Sequence, residues 1–118
     1  MDTNIQNYIA ATRSMVWIPL TEEGVDTRGI FIKPLRRDER TGRAPSFLLK
    51  FEPGAQYPCH NHPAGEELLV LEGSCIIEGV ELSAGDYLYT PPGFRHSVRS
   101  ETGCTLFFMV PVEVEILA

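Results

Sequence analysis

Gly54-Ala-Gln-Tyr-Pro-Cys-His60-Asn-His62-Pro-Ala-Gly-Glu66-Glu-Leu-Leu-Val-Leu-Glu-Gly73 is the stretch that decides how this chain is read. Its two histidines stand two apart, and a carboxylate follows four residues after the second. On an extended strand residues i and i+2 share a face, so both imidazoles can aim at one point. Pro63 and Gly65 then supply a turn able to bring Glu66 back toward it. Two neutral imidazoles and a carboxylate suit a divalent transition metal and leave coordination positions to be filled. A further ligand is to be sought downstream, where His96 is the one remaining histidine of the chain.

Outward from that stretch, the composition bounds the fold. A chain of 118 residues fits one domain. Its hydrophobic content of 43% supports a core, while 10 glycines and 9 prolines predict many turns, so a β-rich domain is expected. The formal charge of −6, without a basic run, argues against nucleic acid and anionic membranes. Cys59, Cys75 and Cys104 are odd in number and scattered, which fits a reducing compartment better than a disulfide framework. There is no CxxC pair for a zinc knuckle, no apolar signal core and no apolar run long enough to span a membrane. The expectation is a cytoplasmic protein.

Ile5, Ile9, Thr12, Met15 and Val16 within residues 3–16 have the spacing of a short amphipathic helix, with Asp2, Thr3 or Asn4 as cap. So short a helix must dock on the barrel flank or on a second subunit. Residues 1–20 are therefore read as an arm and residues 21–118 as the main domain. Trp17 to Pro19 is expected as an edge strand, because Pro19 forbids a central place. A short strand follows at Ile30 to Leu35, and the mixed-charge run Arg36 to Arg43 reads as a solvated hairpin connection.

From Ser46 the rhythm is regular. Strands are predicted at Ser46 to Phe51, Gln56 to His60, Glu67 to Leu71, Cys75 to Glu78, Asp86 to Thr90, His96 to Ser100 and Thr105 to Pro111, separated by glycine or proline turns. The tail, Val112 to Ala118, alternates and can add a last strand. Short strands at this spacing point to an antiparallel sandwich or barrel.

Residues 54–100 resemble the cupin superfamily. The first cupin motif, G-x5-H-x-H-x3or4-E-x6-G, is met by Gly54, His60, His62, Glu66 and Gly73; the second, G-x5-P-x-G-x2-H-x3-N, by Gly85, Pro91, Gly93 and His96, with Ser100 in place of the final asparagine. The resemblance implies an all-β double-stranded β-helix, a jelly-roll barrel, in which His60, His62, Glu66 and His96 bind one metal. Glu67 is the alternative carboxylate; Glu66 keeps the six-residue distance to Gly73. A finer resemblance, through His60-x-His-Pro-x-Gly-Glu-Glu67, Pro91 to His96 and Ser100 to Cys104, is to small single-domain cupins of the ChrR-like group. That group includes the zinc-binding domain of ChrR-type anti-sigma factors and relatives of the acetylacetone-cleaving dioxygenase. The helical domain with which such an anti-sigma factor grips its partner has no counterpart in these 118 residues.

Strand parity places Leu68, Val70, Phe94 and Val98 on the ligand side, as a cavity lining. Tyr57, Tyr87, Tyr89, Phe107, Phe108 and Met109 have no direction fixed by pattern. Cys59 is expected to turn away from His60, and Glu67 to face away from the site. Arg95 and Arg99, which flank His96, are expected at the surface. Two functions fit the implied ligand set. One is an enzyme of the dioxygenase type, holding iron, manganese or another divalent ion (zinc, nickel or cobalt) beside a small oxygen-rich substrate, with Glu66 able to accept a proton. The other is a non-catalytic zinc module that senses or regulates. Edge strands and the docking arm make a homodimer the expected assembly.

Overall fold

A computed structural model describes residues 1–117 of the chain. Ten strands run in order: β1 Ile18–Pro19, β2 Ile30–Arg36, β3 Ser46–Phe51, β4 Gln56–Asn61, β5 Glu66–Ile77, β6 Val80–Ser83, β7 Tyr87–Thr90, β8 Arg95–Arg99, β9 Cys104–Met109 and β10 Glu115–Ile116. Every ladder is antiparallel. One sheet runs β1-β2-β3-β9-β5-β7 and the other β10-β4-β8-β5-β6. This is the curled jelly-roll barrel expected from the sequence.

β5 belongs to both sheets. Its first half pairs with β7 and β9; from Ser74 on it pairs with β6 and touches β8 through Ile76 and Arg99. Glu66, Leu68 and Val70 are buried in the first half, and Cys75 and Ile77 in the second. The inward parity thus changes from even to odd across a bulge between Val70 and Glu72, as an extra residue in one strand requires. Gly73, at φ +72°, sits where the sheets cross: a Cβ there would lie 2.2 Å from the Gly103 carbonyl oxygen, so no other residue fits without backbone movement. Two strands were expected here, divided at Gly73. The glycine bends one long strand instead of ending it.

The core is filled by inward positions of both sheets, among them Ile30, Phe51, Leu68, Val70, Val98, Leu106 and Phe108. β9 shows the clean alternation, with Cys104, Leu106 and Phe108 buried between half-buried neighbours. β6 was not anticipated; it forms because Glu78 and Gly79, both at positive φ, turn the chain tightly back onto β5.

The amphipathic helix expected at residues 3–16 is replaced by two 3-10 turns, Ile5–Tyr8 and Thr12–Ser14. No residue from 1 to 16 is buried, so nothing in this chain rewards a continuous helix. The arm is tied down at its end. Lys33 Nζ donates to the Thr12 carbonyl at 2.8 Å and lies 4.4 Å over the Trp17 ring. In the tail Glu115–Ile116 pairs with β4 and Leu117 N–H donates to the Cys59 carbonyl at 3.1 Å, while the last residue of the expected strand, Ala118, lies outside the described residues.

Candidate functional site

His60 in β4 and His96 in β8 are directly opposed across the ladder, so their side chains share the inner face. His62 follows at the end of β4, and the turn to β5 brings Glu66 up beside it, with Gly65 N–H and Gly93 N–H both donating to the His62 carbonyl. The three imidazole centroids form a triangle with sides of 4.5, 4.9 and 4.3 Å. Glu66 Oε2 lies 3.3 Å from His62 Nε2, and Glu66 Oε1 3.7 Å from His96 Nε2. All four side chains are buried, and one potential donor atom from each lies within 4.8 Å of the others. Among the described residues this cluster could hold one metal ion. Glu67 points away: its carboxylate accepts from the Tyr87 hydroxyl at 2.7 Å.

The hydrogen bonds agree with a metal. His60 Nδ1 donates to the Pro58 carbonyl and His62 Nδ1 to the Phe94 carbonyl, each at 2.7 Å. Those bonds fix the tautomers that leave both Nε2 lone pairs facing inward. Among the described residues His62 Nε2, His96 Nε2 and Glu66 Oε1 are buried with no hydrogen-bond partner, a costly state that a cation would relieve. Burial pushes His60 below the ordinary histidine range and takes His96 down to about 3, where it stays neutral and able to ligate. Burial opposes the charged form of His62 too, but the Glu66 carboxylate and the Phe94 carbonyl outweigh it and raise its pKa.

A cavity of about 180 Å³ opens onto His60 and Glu66. Phe47, Leu49, Val98, Phe108 and Val110 form apolar walls; Glu22, Arg43 and Glu113 stand among them as charged groups. Tyr57 spans the two environments. Its ring lies edge-on to His60 at 5.0 Å, and its hydroxyl donates to the Glu22 carboxylate at 2.8 and 2.9 Å. Burial, then Glu22, raises the phenol pKa, so Tyr57 is a neutral donor. Cys59 is exposed, and so are Arg95 and Arg99, the latter paired with Glu101 at 2.9 Å. Ser100 Oγ donates to the Ser74 carbonyl and accepts from Gly103 N–H, so serine serves the turn where the motif has asparagine.

Of the lining expected from parity, Val98 is on the cavity wall, whereas Leu68 and Val70 are buried in the core away from it. Phe94 is half exposed, because it closes the turn from Pro91 before β8 begins and strand parity does not reach it. It lines a second, open crevice of about 460 Å³ that meets the site from the β7 side, along Leu82, Thr90 and His96. Sequence reasoning missed Glu22 and Glu113, which carry no motif. It also left Tyr57 undecided, because a register shift between Tyr57 and His60 turns both inward at an odd separation.

Comparison with known proteins agrees with this architecture. Residues 6–111 match the family described as the ChrR Cupin-like domain. The polyketide cyclase RemF from Streptomyces resistomycificus superposes with a TM-score of 0.74 at 20% identity, over 92% of this chain and 84% of that one. An acetylacetone dioxygenase from Acinetobacter johnsonii gives 0.74 at 16% identity, over 86% and 72%. At such identities the likeness is one of fold. The DNA damage-repair/toleration protein DRT102 of Arabidopsis thaliana is 35% identical over 60 residues, 46% of this chain, and the match spans only 19% of that protein.

Proposed function

The chain belongs to the ChrR Cupin-like domain family, and from that premise we propose that it is a mononuclear metal enzyme of the dioxygenase type, acting on a small oxygen-rich organic molecule. His60, His62, Glu66 and His96 hold the metal: iron, manganese or zinc first, nickel or cobalt as further fits to this donor set. When bound, such an ion polarises a chelating oxygen ligand and, if redox-active, brings it to O2. The observation that carries this reading is the cavity. A purely structural zinc site is closed, whereas here an apolar chamber reaches His60 and Glu66.

The chain's own residues do the rest. Phe47, Leu49 and Phe108 exclude water from the apolar part of a ligand. Tyr57, held by Glu22, offers an oriented edge at the mouth of the site. Glu66 accepts a proton at a carboxylate oxygen as the ligand ionises. Residues 21–118 form the barrel unit of this reading, and residues 1–20 an arm. The exposed apolar side chains of that arm, Ile5, Tyr8, Ile9 and Val16, are the surface a second copy would cover. Three free cysteines fit a cytoplasmic setting, and no helix among the described residues is long and apolar enough to cross a membrane.

The test is elemental analysis of protein purified without chelator from cells given balanced metals, followed by O2 uptake with β-diketones and phenols. Near-stoichiometric iron or manganese with O2 consumption is the expected outcome. Stoichiometric zinc without turnover would replace this reading with a regulatory zinc module. No metal, even on reconstitution, would overturn both.

A further inference from the structure

The unsatisfied polar atoms around the four ligands are not all explained by a metal. Glu66 Oε1, His62 Nε2 and His96 Nε2 face the cluster, but His96 Nδ1 and the Thr90 hydroxyl are also buried without a partner. His60 and His62 each fix their outer nitrogen on a backbone carbonyl; among the described residues His96 has no such acceptor. Thr90 is paired directly with Glu66 across the β5–β7 ladder, so its side chain lies on the same inner face as the carboxylate. Thr90 and His96 also share the crevice on the β7 side. A hydroxyl donates one hydrogen bond and accepts two, which matches a donor at His96 Nδ1–H and an acceptor at the Glu66 carboxylate, whose oxygens keep lone pairs beyond the one a metal takes. Valine would serve strand propensity and shape equally well, so the hydroxyl is the part of Thr90 that packing leaves unaccounted for.

We propose that Thr90 is a positioning residue of the metal centre: its hydroxyl, with one bound water, supplies the acceptor that His96 Nδ1 lacks and donates to the Glu66 carboxylate alongside the metal. It thereby orients two of the four ligands from outside the coordination sphere. The water enters from the β7-side crevice, so the cavity at His60 is left to the ligand. The inference rests on the metal reading above but not on any particular reaction.

The test uses the full chain and its Thr90→Val and Thr90→Ser variants. Zn(II) affinity is measured by competition with a chromogenic chelator, the visible spectrum is recorded after Co(II) loading, and melting is followed in the metal-free state. Thr90→Val is expected to weaken Zn(II) binding by about 10–100-fold and to shift the Co(II) bands. It should leave metal-free melting nearly unchanged, because the net worth of a hydrogen bond to stability is small and the buried hydroxyl is removed together with the bonds it makes. Thr90→Ser should restore affinity and spectrum. Unchanged affinity and spectrum in Thr90→Val would overturn the proposal, as would a lowered metal-free melting temperature with affinity intact, since that marks a structural role. Should the valine variant fail to fold, Thr90→Ala removes the same hydroxyl and is read by the same criteria. Failure of the unsubstituted protein to bind either ion would overturn the metal reading itself, and this inference with it.

Discussion

At the scale of single residues, the four clustered side chains carry different loads. His96 lies opposite His60 in the β4–β8 ladder and within 3.7 Å of the Glu66 carboxylate. In the proposed metal centre, its truncation in His96→Ala removes a ligand outright. The loss of Zn(II) affinity should therefore exceed the ~10–100-fold typical of an outer partner, and a competition titration measures it. Acid acts on the same residues with a defined sign. His60 and His96 have folded pKa values lowered by burial, so they contribute stability above the unfolded value near 6.5. That stability is lost as pH falls from 6.5, and for His96 the loss extends to about 3. His62, raised by Glu66 and Phe94 against the effect of burial, contributes in the opposite direction: its stability is present below 6.5 and lost as pH rises through its folded pKa. Two groups oppose one, so the urea midpoint of chelator-treated protein should fall between pH 7 and pH 4.5, less steeply in His96→Ala. A midpoint independent of pH would show that these histidines are solvated in the metal-free protein. The four clustered residues were legible in the sequence because their spacing is a motif. Glu22 and Thr90 were not, because the tether to Tyr57 and the register opposite Glu66 exist only once distant strands have paired.

At the scale of elements, the glycines that bend the barrel separate into two kinds. Gly73 and Gly54 both take positive φ, but a Cβ at Gly54 meets nothing within 4 Å, whereas at Gly73 it meets the Gly103 carbonyl at 2.2 Å. Gly54→Ala should therefore cost only the left-handed penalty of roughly 1–2 kcal/mol. Gly73→Ala should cost roughly 1–3 kcal/mol beyond that, because the crossing of β5 over the β8–β9 turn must open. Urea unfolding of the two variants measures the difference, and equal midpoints would mean that the crossing yields freely. The same crossing explains where pattern reading stopped. Pattern located β3 at its observed bounds, although Leu48 and Leu49 are both buried, and β9 nearly so, because β9 keeps one inward parity along its length. It divided β5 in two and left Tyr57 without a direction, because bulges at Glu72 and between Tyr57 and His60 each change parity by one residue. Pro34 illustrates the reverse case. It stands inside β2 beside a register shift, where the missing N–H is tolerated, and the strand was still recognisable from its apolar residues.

At the scale of the whole molecule, residues 1–16 differ from the barrel in burial, with none of them buried. The barrel encloses its own core. Of the arm's apolar side chains, Ile5, Tyr8, Ile9 and Val16 all remain open to solvent, and the arm is attached through Lys33 at Thr12 and Trp17 and through the pairing of Ile18 and Pro19 with β2. The apolar spacing in residues 3–16 was legible, but its helical form was not, since a helix of that length needs a surface to lie on and the chain alone provides none. If a second copy provides it, full-length protein sediments as a dimer, and removing residues 1–10 shifts it toward monomer in proportion to dilution. Such a deletion takes away no buried side chain, so the melting temperature extrapolated to low concentration and the stoichiometry of bound metal should not change. Sedimentation velocity across a concentration series, with melting and metal content on the same samples, separates the two effects. A full-length protein that stays monomeric throughout would sink the dimer. A truncated protein that loses metal would instead make the arm part of the barrel's own support.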